Sequence, residues 1–113
     1  MTDWIPCIVE SPFAGSTEAE LERNKRYLER CLRDCIYRGE SPYASHKMLT
    51  VCLDDTVPEE RAKGIEAGLV WRRLAPKRVF YVDHGMSRGM TAALELYERE
   101  HLPYVTRRIG AEP

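Results

Sequence analysis

A β-strand pattern, a glycine-containing loop and a helix pattern follow one another without a break between residues 78 and 95. The apolar run 79–82 ends at Asp83, and the loop that follows contains Gly85 and Gly89. Such a loop exposes backbone N–H groups, and the helix N-terminus behind it favours negative charge. In open α/β sheets these loops lie at the carboxyl ends of the strands, where ligands bind. The segment therefore predicts an α/β fold and a small phosphorylated ligand.

The same alternation of patterns continues through the rest of the chain. Strands are predicted at 5–10, near 42–45, at 79–83 and at 102–108, and helices from 17 to Gly39, from 56–58 to just before Pro76, and from about 88 to 100. Thr17 with Glu20, and Thr56 with Glu59, have the spacing of capping boxes. Residues 46–57 are expected to form a long loop, and the end of the chain, 111–113, is expected to fray.

The order β-α-β-α-β-α-β favours a single domain over residues 1–113. We expect a Rossmann-like three-layer α/β sandwich with a short parallel sheet of about four strands and about three helices. Hydrophobic residues make up 43% and charged residues 31% of 113 residues, which is enough for one core.

Charge and hydropathy argue against two classes of partner. The net charge is −1 and the pI about 6.3, so no long nucleic-acid track is predicted. The basic run 72–78 is expected to be a solvated helix end and strand edge. No apolar segment approaches the ~18 residues that span a bilayer, and the N-terminus lacks a signal-peptide pattern. We therefore expect no membrane partner and a cytoplasmic location.

Cysteine and aspartate spacing predicts no metal site and no cofactor. The cysteines are Cys7, Cys31, Cys35 and Cys52. None forms a C-x-x-C pair and no histidine pattern completes a zinc site, so structural thiols are predicted. Asp54 and Asp55 lack further ligands at a set spacing, which favours a loop or cap role.

Three segments are expected to meet at the carboxyl ends of the strands, namely 10–15, 45–46 and 83–89. The candidate ligand-binding residues are Ser11, Phe13, Gly15, Tyr43, Ser45, His46, Asp83, Ser87, Arg88 and Gly89. His46 is a candidate acid or ligand contact because the pKa of histidine lies near neutrality, and a structural role is the alternative.

Ser87, Arg88 and Gly89 are the residues predicted to hold a phosphate. For Ser87 the alternative is a plain N-cap, which is compatible with phosphate binding. For Arg88 the alternative is a solvated residue in the first helical turn. Phe13 and Tyr43 suit stacking against a base or ribose, and the alternative for both is the hydrophobic core.

These segments resemble the nucleoside 2-deoxyribosyltransferase-like superfamily, and most closely a branch of small domains from phages and bacteria. The resemblance rests on Glu10-Ser11-Pro12-Phe13-Ala14-Gly15, Ser41-Pro42-Tyr43-Ala44-Ser45-His46, Leu53-Asp54-Asp55, Pro58-Glu59-Glu60-Arg61 with Gly64-Ile65, and Ser87-Arg88-Gly89-Met90. It implies a Rossmann-like fold that binds a nucleoside or its monophosphate at the strand ends, with Ser87 near the 5′-phosphate. It also implies a homodimer, and a glutamate that acts at the anomeric carbon.

The chain departs from that family at the glutamate, because the position four residues after Gly89 is Ala93. Glu95 is two residues further on, which rotates its side chain by about 200° on a helix. Glu10 and Glu66 are the remaining candidates for a catalytic carboxylate. Three functions remain open: a nucleotide-binding domain with lost or reduced catalysis, an active N-glycosidase or deoxyribosyltransferase with a relocated carboxylate, and an interaction protein whose crevice is vestigial.

Overall fold

The structure, a computed structural model, describes residues 3–111. Its elements in chain order are β1 (Ile5–Glu10), α1 (Glu18–Tyr37), β2 (Glu40–Tyr43), α2 (Ser45–Leu49), α3 (Pro58–Leu74), β3 (Lys77–Tyr81), α4 (Arg88–Arg99) and β4 (Val105–Arg107). Of the expected frayed tail, residues 112 and 113 lie outside the described residues. None of the helices within 3–111 combines the length and the apolar character that a bilayer crossing requires.

The four strands form one parallel sheet in the order β2-β1-β3-β4. The predicted Rossmann-like α/β fold with a parallel sheet is therefore confirmed. In the central pair, Val9 lies beside Val79 and Glu10 beside Phe80. Both central strands are short and apolar because a parallel sheet is covered by helices on its two faces.

Each face of the sheet carries its own hydrophobic core. On one face, α1 packs Tyr27, Leu28 and Cys31 against Val9 and Val79. On the other face, α4 packs against Phe80, and Leu69 of α3 joins the same cluster. Helix α1 therefore covers one face of the sheet, while α3 and α4 cover the other.

Helix α1 begins and ends where its sequence predicts. The Thr17 hydroxyl accepts a hydrogen bond from the Glu20 amide at 3.1 Å, and Gly39 follows the helix with a φ of 83°. The buried stripe of α1 consists of Asn24, Tyr27, Leu28, Cys31 and Cys35. Helical spacing would also place Leu21 and Ile36 on an apolar stripe with Leu28 and Cys35, but both are about half exposed. The stripe is thus rotated toward Asn24 and Tyr27, because these two side chains have partners beneath the helix.

The segment between β1 and α3 differs from its prediction in three ways. Strand β2 begins two residues early because Glu40–Tyr43 pair with β1 at the sheet edge, where a proline is tolerated. Residues 45–49 form a helix inside the expected loop. The expected cap at Thr56 is also absent, because its amide and hydroxyl donate to Asp54 and Val57 is the N-cap of α3.

The basic run 72–78 is solvated only in part: Arg73 and Lys77 are partly exposed, as predicted, but Arg72 and Arg78 are largely buried, contrary to the prediction. Arg72 pairs with Glu10, Arg73 with Glu100 and Lys77 with Glu40. Arg78 is buried and donates to the carbonyl oxygens of Arg72, Arg73, Ala75 and Pro103. The first three of these carbonyls lie at the end of α3, so the guanidinium replaces hydrogen bonds that the helix terminus lacks, and the fourth links it to the segment before β4.

Candidate functional site

β1 and β3 are neighbours in the sheet, and the chain continues from their carboxyl ends to opposite faces of the sheet. The loop after β1 leads to α1 on one face, and the loop after β3 leads to α4 on the other. Such a switch point leaves a crevice between the two loops. We call this crevice the strand-end site and define it by residues 10–15, residues 83–89 and His46.

His46 reaches this site from α2. Its ring lies 4.9 Å from the ring of Phe13, with an edge-to-face orientation. The structure therefore brings one residue of the second predicted segment to the first, through an aromatic contact. The other residue of that segment, Ser45, is buried on the opposite side, where its hydroxyl lies against Gly68 of α3.

Glu10 is buried at the end of β1 and its carboxylate is fully engaged. Arg72 of α3 donates to both carboxylate oxygens, at 2.9 and 3.0 Å, and the Tyr97 hydroxyl of α4 donates to one of them. Burial lowers the pKa of Arg72, but the Glu10 charge outweighs it and the net shift is upward. Glu10 is thus held as a paired anion, and a carboxylate shared with a guanidinium is a weak nucleophile.

Three buried side-chain atoms around the β1–α1 loop have no hydrogen-bond partner. They are Ser11 Oγ, Asn24 Oδ1 and His46 Nε2, the full set of such atoms within residues 3–111. The Asn24 amide nitrogen donates to the carbonyls of Phe13 and Ala14, which fixes its oxygen as a free acceptor. An unsatisfied buried polar group costs about 1 to 3 kcal/mol, so these atoms indicate a place for a polar ligand or water.

His46 is neutral at physiological pH. Burial lowers the pKa of His46 to about 4, and the positive charges of Arg72 and Lys47 act in the same direction. A neutral imidazole nitrogen either donates or accepts one hydrogen bond. At neutral pH, His46 therefore carries no charge, and its unpartnered Nε2 is free to form one hydrogen bond.

The carboxylate of Asp83, a predicted ligand contact, is already hydrogen-bonded to other parts of the protein. It accepts hydrogen bonds from the Tyr27 hydroxyl at 2.6 Å and from the amides of Ile109 and Gly110. Burial raises the pKa of Asp83, but these hydrogen bonds lower it below its usual value. The side chain ties the segment after β4 to the end of β3, and His84 stacks on Tyr27 beside it at 4.4 Å.

The turn before α4 is open to solvent. The Ser87 hydroxyl accepts a hydrogen bond from the Met90 amide at 3.3 Å, so Ser87 is the N-cap. Within the described residues, no acceptor meets the amides of Arg88 and Gly89, and no carboxylate pairs with the exposed Arg88 side chain. Space is open around Gly89, where an added Cβ would meet nothing within 4 Å. Residues 83–89 line neither of two cavities found elsewhere, one at the sheet edge and one between α1 and α2.

The remaining predicted residues lie outside the strand-end site or serve packing. Gly15 allows close approach to α1, because an added Cβ would lie 2.8 Å from Glu20 Cβ. Tyr43 stacks on Trp71 at 5.6 Å, beside the sheet edge. Glu66 is exposed on α3, about 200° around the helix from Gly64 and Gly68, which face α2. The structure therefore does not bring Glu66 to Glu10 or His46.

Comparison with known protein families gives one match. The model of the family described as domain of unknown function DUF7768 matches residues 6–107, from β1 to the end of β4. The chain belongs to this family. Searches of curated proteins and of solved structures give no significant match.

In this DUF7768 domain, one group of potential metal ligands is buried beneath α1. Cys7, Cys35 and Glu40 have ligand atoms within 4.8 Å of one another, and no other group of three such residues occurs within 3–111. Both oxygens of Glu40 already accept hydrogen bonds from Arg107, and Lys77 pairs with the same carboxylate. Hydrogen bonding from Arg107 lowers the pKa of Glu40 to about 2. A metal ion here would be a third cation beside a carboxylate that already pairs with Arg107 and Lys77, which is electrostatically unfavourable. We therefore interpret the group as a structural hydrogen-bond network.

Sequence reasoning missed Asn24, Arg72 and Tyr97 as site residues. Asn24 was visible as a polar residue inside the apolar stripe of a helix, which is a usable signal. Arg72 belongs to a basic run, and Tyr97 to an ordinary amphipathic pattern. Neither carries a local sign of its contact with Glu10, because those partners are 62 and 87 residues away in the chain.

Proposed function

We propose that this domain binds a nucleotide or a nucleotide-derived small molecule at the strand-end site. The observation that carries the proposal is the set of three buried, unpartnered atoms of Ser11, Asn24 and His46 around one loop. The Asn24 oxygen accepts a hydrogen bond, while the Ser11 hydroxyl and the His46 nitrogen can each donate or accept one. A sugar or a base supplies both donors and acceptors, so it satisfies such a set better than an apolar ligand.

The phosphate is assigned to the N-terminus of α4. The amides of Arg88 and Gly89 lack protein acceptors, and the Arg88 guanidinium is exposed beside them. A helix N-terminus favours an anion through its dipole and its free N–H groups. The positive charge of Arg88 in the first turn of α4 is unfavourable beside the positive end of the same dipole. A bound anion would offset this repulsion.

We propose binding without the glutamate-dependent cleavage of the superfamily that the sequence resembles. The position of the family glutamate is Ala93, which is buried against Phe80 in the core beneath α4. Glu10 is paired with Arg72, so a replacement nucleophile is not available in this arrangement. The relation to nucleoside 2-deoxyribosyltransferases is part of the same proposal.

Calorimetric titration with a deoxynucleoside monophosphate and with its nucleoside tests this proposal. We expect the monophosphate to bind at least about tenfold more tightly than the nucleoside. Arg88→Gln should remove most of that difference, while Arg61→Gln, an exposed arginine in the first half of α3, should leave it unchanged. Absence of binding for every monophosphate, or equal loss in both variants, would contradict the proposal.

An active N-glycosidase is the alternative, and one observation favours it. Tyr97, one helical turn after Ala93, holds the buried carboxylate of Glu10, so an acidic group lies close to the family's catalytic position. Release of free base from a monophosphate, measured by chromatography, would support this function if Glu10→Gln abolished it under conditions where circular dichroism shows that the variant is folded. Release that persists in both Glu10→Gln and Glu66→Gln would contradict this function.

We also propose that the domain forms a homodimer through the sheet edge. A cavity of about 350 Å³ lies there between β2 and α3, and we call it the edge cavity. It is lined by Pro6, Cys7, Ile8, Ser41, Pro42, Tyr43, Trp71, Leu74, Ala75 and Pro76. Trp71 is 54% and Leu74 70% exposed. A parallel strand is normally covered on both faces, so a second copy is the occupant that completes this layer.

A cytoplasmic location completes the proposal. All four cysteines are free, and Cys52 is exposed. Free thiols are typical of a reducing compartment.

A further inference from the structure

A second cavity, of about 320 Å³, lies between α1 and α2. It is lined by Phe13, Leu21, Lys25, Leu28, Lys47, Thr50 and Val51, and we call it the α1–α2 cavity. Its volume falls within the range of about 300 to 1,000 Å³ that is typical of small-molecule pockets. Four of the seven side chains are apolar, and the two charged ones are both lysines.

The cavity exists because α2 packs against α3 and leaves its α1 side uncovered. Two glycines of α3 face α2: an added Cβ on Gly68 would lie 3.1 Å from Ser45 Oγ, and one on Gly64 3.4 Å from a methyl group of Leu53. This close packing holds α2 away from α1. Leu21 and Val51 are consequently 47% and 84% exposed on the two walls.

The only charged residues among those that line the cavity are Lys25 and Lys47, and the rest of the lining is almost entirely apolar. Neither Lys25 nor Lys47 forms an ion pair with any residue of the described chain. The Thr50 hydroxyl donates to the carbonyls of His46 and Lys47 within α2, so it is already satisfied. Two cations beside an apolar surface complement a molecule with an apolar body and a negative group.

We propose that the α1–α2 cavity binds a small amphiphilic carboxylate, aromatic or short aliphatic. Its apolar body packs against Phe13, Leu21 and Val51, and its carboxylate lies between Lys25 and Lys47. Apolar burial supplies most of the affinity, and the ammonium groups discriminate the anion from a neutral analogue.

This site is separate from the phosphate position at the strand ends, and it rests on no part of the proposed function. Leu21, Lys25 and Leu28 lie on the face of α1 that turns toward α2. Tyr27, which contacts His84 before α4, lies six residues after Leu21 and so points about 120° away around the helix. Phe13 is the one residue that belongs to both sites.

Amide NMR titration of the folded domain with naphthoate, and with naphthalenemethanol as its neutral analogue, tests the proposal. We expect saturable shifts at Leu21, Lys25 and Val51, and binding of naphthoate at least about tenfold tighter than that of the alcohol. The double variant Lys25→Gln/Lys47→Gln should bind the two probes equally. Lys63→Gln, an exposed lysine of α3, is the matched control and should bind as the parent does.

A second variant keeps the test independent of the lysines. Val51→Asp places a negative charge at an exposed position of the cavity wall, so it should weaken naphthoate binding and leave folding intact. Equal binding of acid and alcohol by the parent would overturn the proposal. Shifts confined to residues 85–89, or no effect of either lysine, would also overturn it, because the anion would then be bound elsewhere.

Discussion

The carboxylate of Glu10 lies at the end of a central strand, where Arg72 and Tyr97 converge on it. It is 2% exposed, and Arg72 is largely buried with it. A buried ion pair of this kind contributes little net stability compared with apolar residues, but loss of one partner leaves an unpaired buried charge. The role of this glutamate at the residue scale is therefore to neutralise Arg72 and to join β1, α3 and α4.

Glu10→Gln should strongly destabilise the domain. The substitution leaves the Arg72 guanidinium buried without a counter-charge, and such a loss costs about 3 to 5 kcal/mol. Urea denaturation measures the change in the free energy of unfolding. Glu66→Gln is the control, because that exposed side chain should change the same quantity by no more than about 0.5 kcal/mol. Equal effects of the two substitutions would show that the Glu10 pair is not formed.

His46 predicts a pH dependence of stability. The ordinary pKa of 6.5 is lowered to about 4 in the folded state, so below 6.5 the unfolded chain binds more protons at this site. His46 therefore supports stability above pH 6.5, and this contribution is lost as the pH falls toward 4.

Between pH 7 and 4.5 the loss from His46 should be about 2 kcal/mol. His46→Gln should accordingly lose less stability over this interval than the parent, because a group that cannot be protonated has replaced it. Denaturation gives the free energy of unfolding of both proteins at pH 7 and 4.5. The difference between their pH-dependent losses is the contribution of His46, because the carboxylates titrate alike in both proteins. A parallel decline in both proteins would mean that His46 titrates alike in the folded and unfolded states.

Helix α3 carries two glycines in its interior, which is unfavourable for a helix by about 1 kcal/mol each relative to alanine. The tertiary structure accounts for them at the element scale. Both glycines face α2, but their surroundings differ: Gly68 meets the buried Ser45 at the start of α2, while Gly64 meets the flexible end of Leu53.

The two glycines should therefore respond differently to alanine. Gly64→Ala should stabilise the domain by about 0.5 to 1 kcal/mol, since its Cβ would make an ordinary contact at 3.4 Å. Gly68→Ala should gain nothing or destabilise, because its Cβ would lie 3.1 and 3.2 Å from two atoms of Ser45. Thermal unfolding of the pair measures the difference, and equal stabilisation of both variants would exclude close packing of α2 on α3.

At the scale of the whole molecule, the sheet is covered unevenly. Helix α1 covers one face, but on the other face α3 leaves the edge cavity open beside β2. The exposed Trp71 and Leu74 border this opening. An incomplete layer in a parallel sheet is an energetic reason for two copies to associate.

Leu74→Glu should convert a dimer into a monomer in sedimentation velocity experiments at micromolar concentration. A charge at the centre of the proposed interface would be desolvated without a partner. Val51→Glu changes an even more exposed apolar residue, one that lines the α1–α2 cavity and not the edge cavity, so it should leave the dimer intact. A monomeric parent protein would contradict the proposed interface.

Much of this architecture could be predicted from local signals. The ends of α1 follow from Thr17 and Gly39, and the start of α4 follows from Ser87, because caps depend on residues a few positions apart. β2 was misplaced, and the helix at 45–49 was missed, because a short edge strand with a proline and a five-residue helix carry weak periodicity.

By itself, the sequence determined that this chain is a parallel α/β domain with a glycine-containing turn before α4, because strand and helix periodicities and caps are local properties. Only the tertiary structure decided which polar residues are paired and which are left without partners. The sequence offered Glu10 only as a candidate catalytic carboxylate, because its pairing with Arg72 depends on two elements meeting in the folded chain. The same holds for the unpartnered atoms of Ser11, Asn24 and His46. Hydrogen bonding and burial depend on distances between segments far apart in the chain, which a linear pattern does not contain.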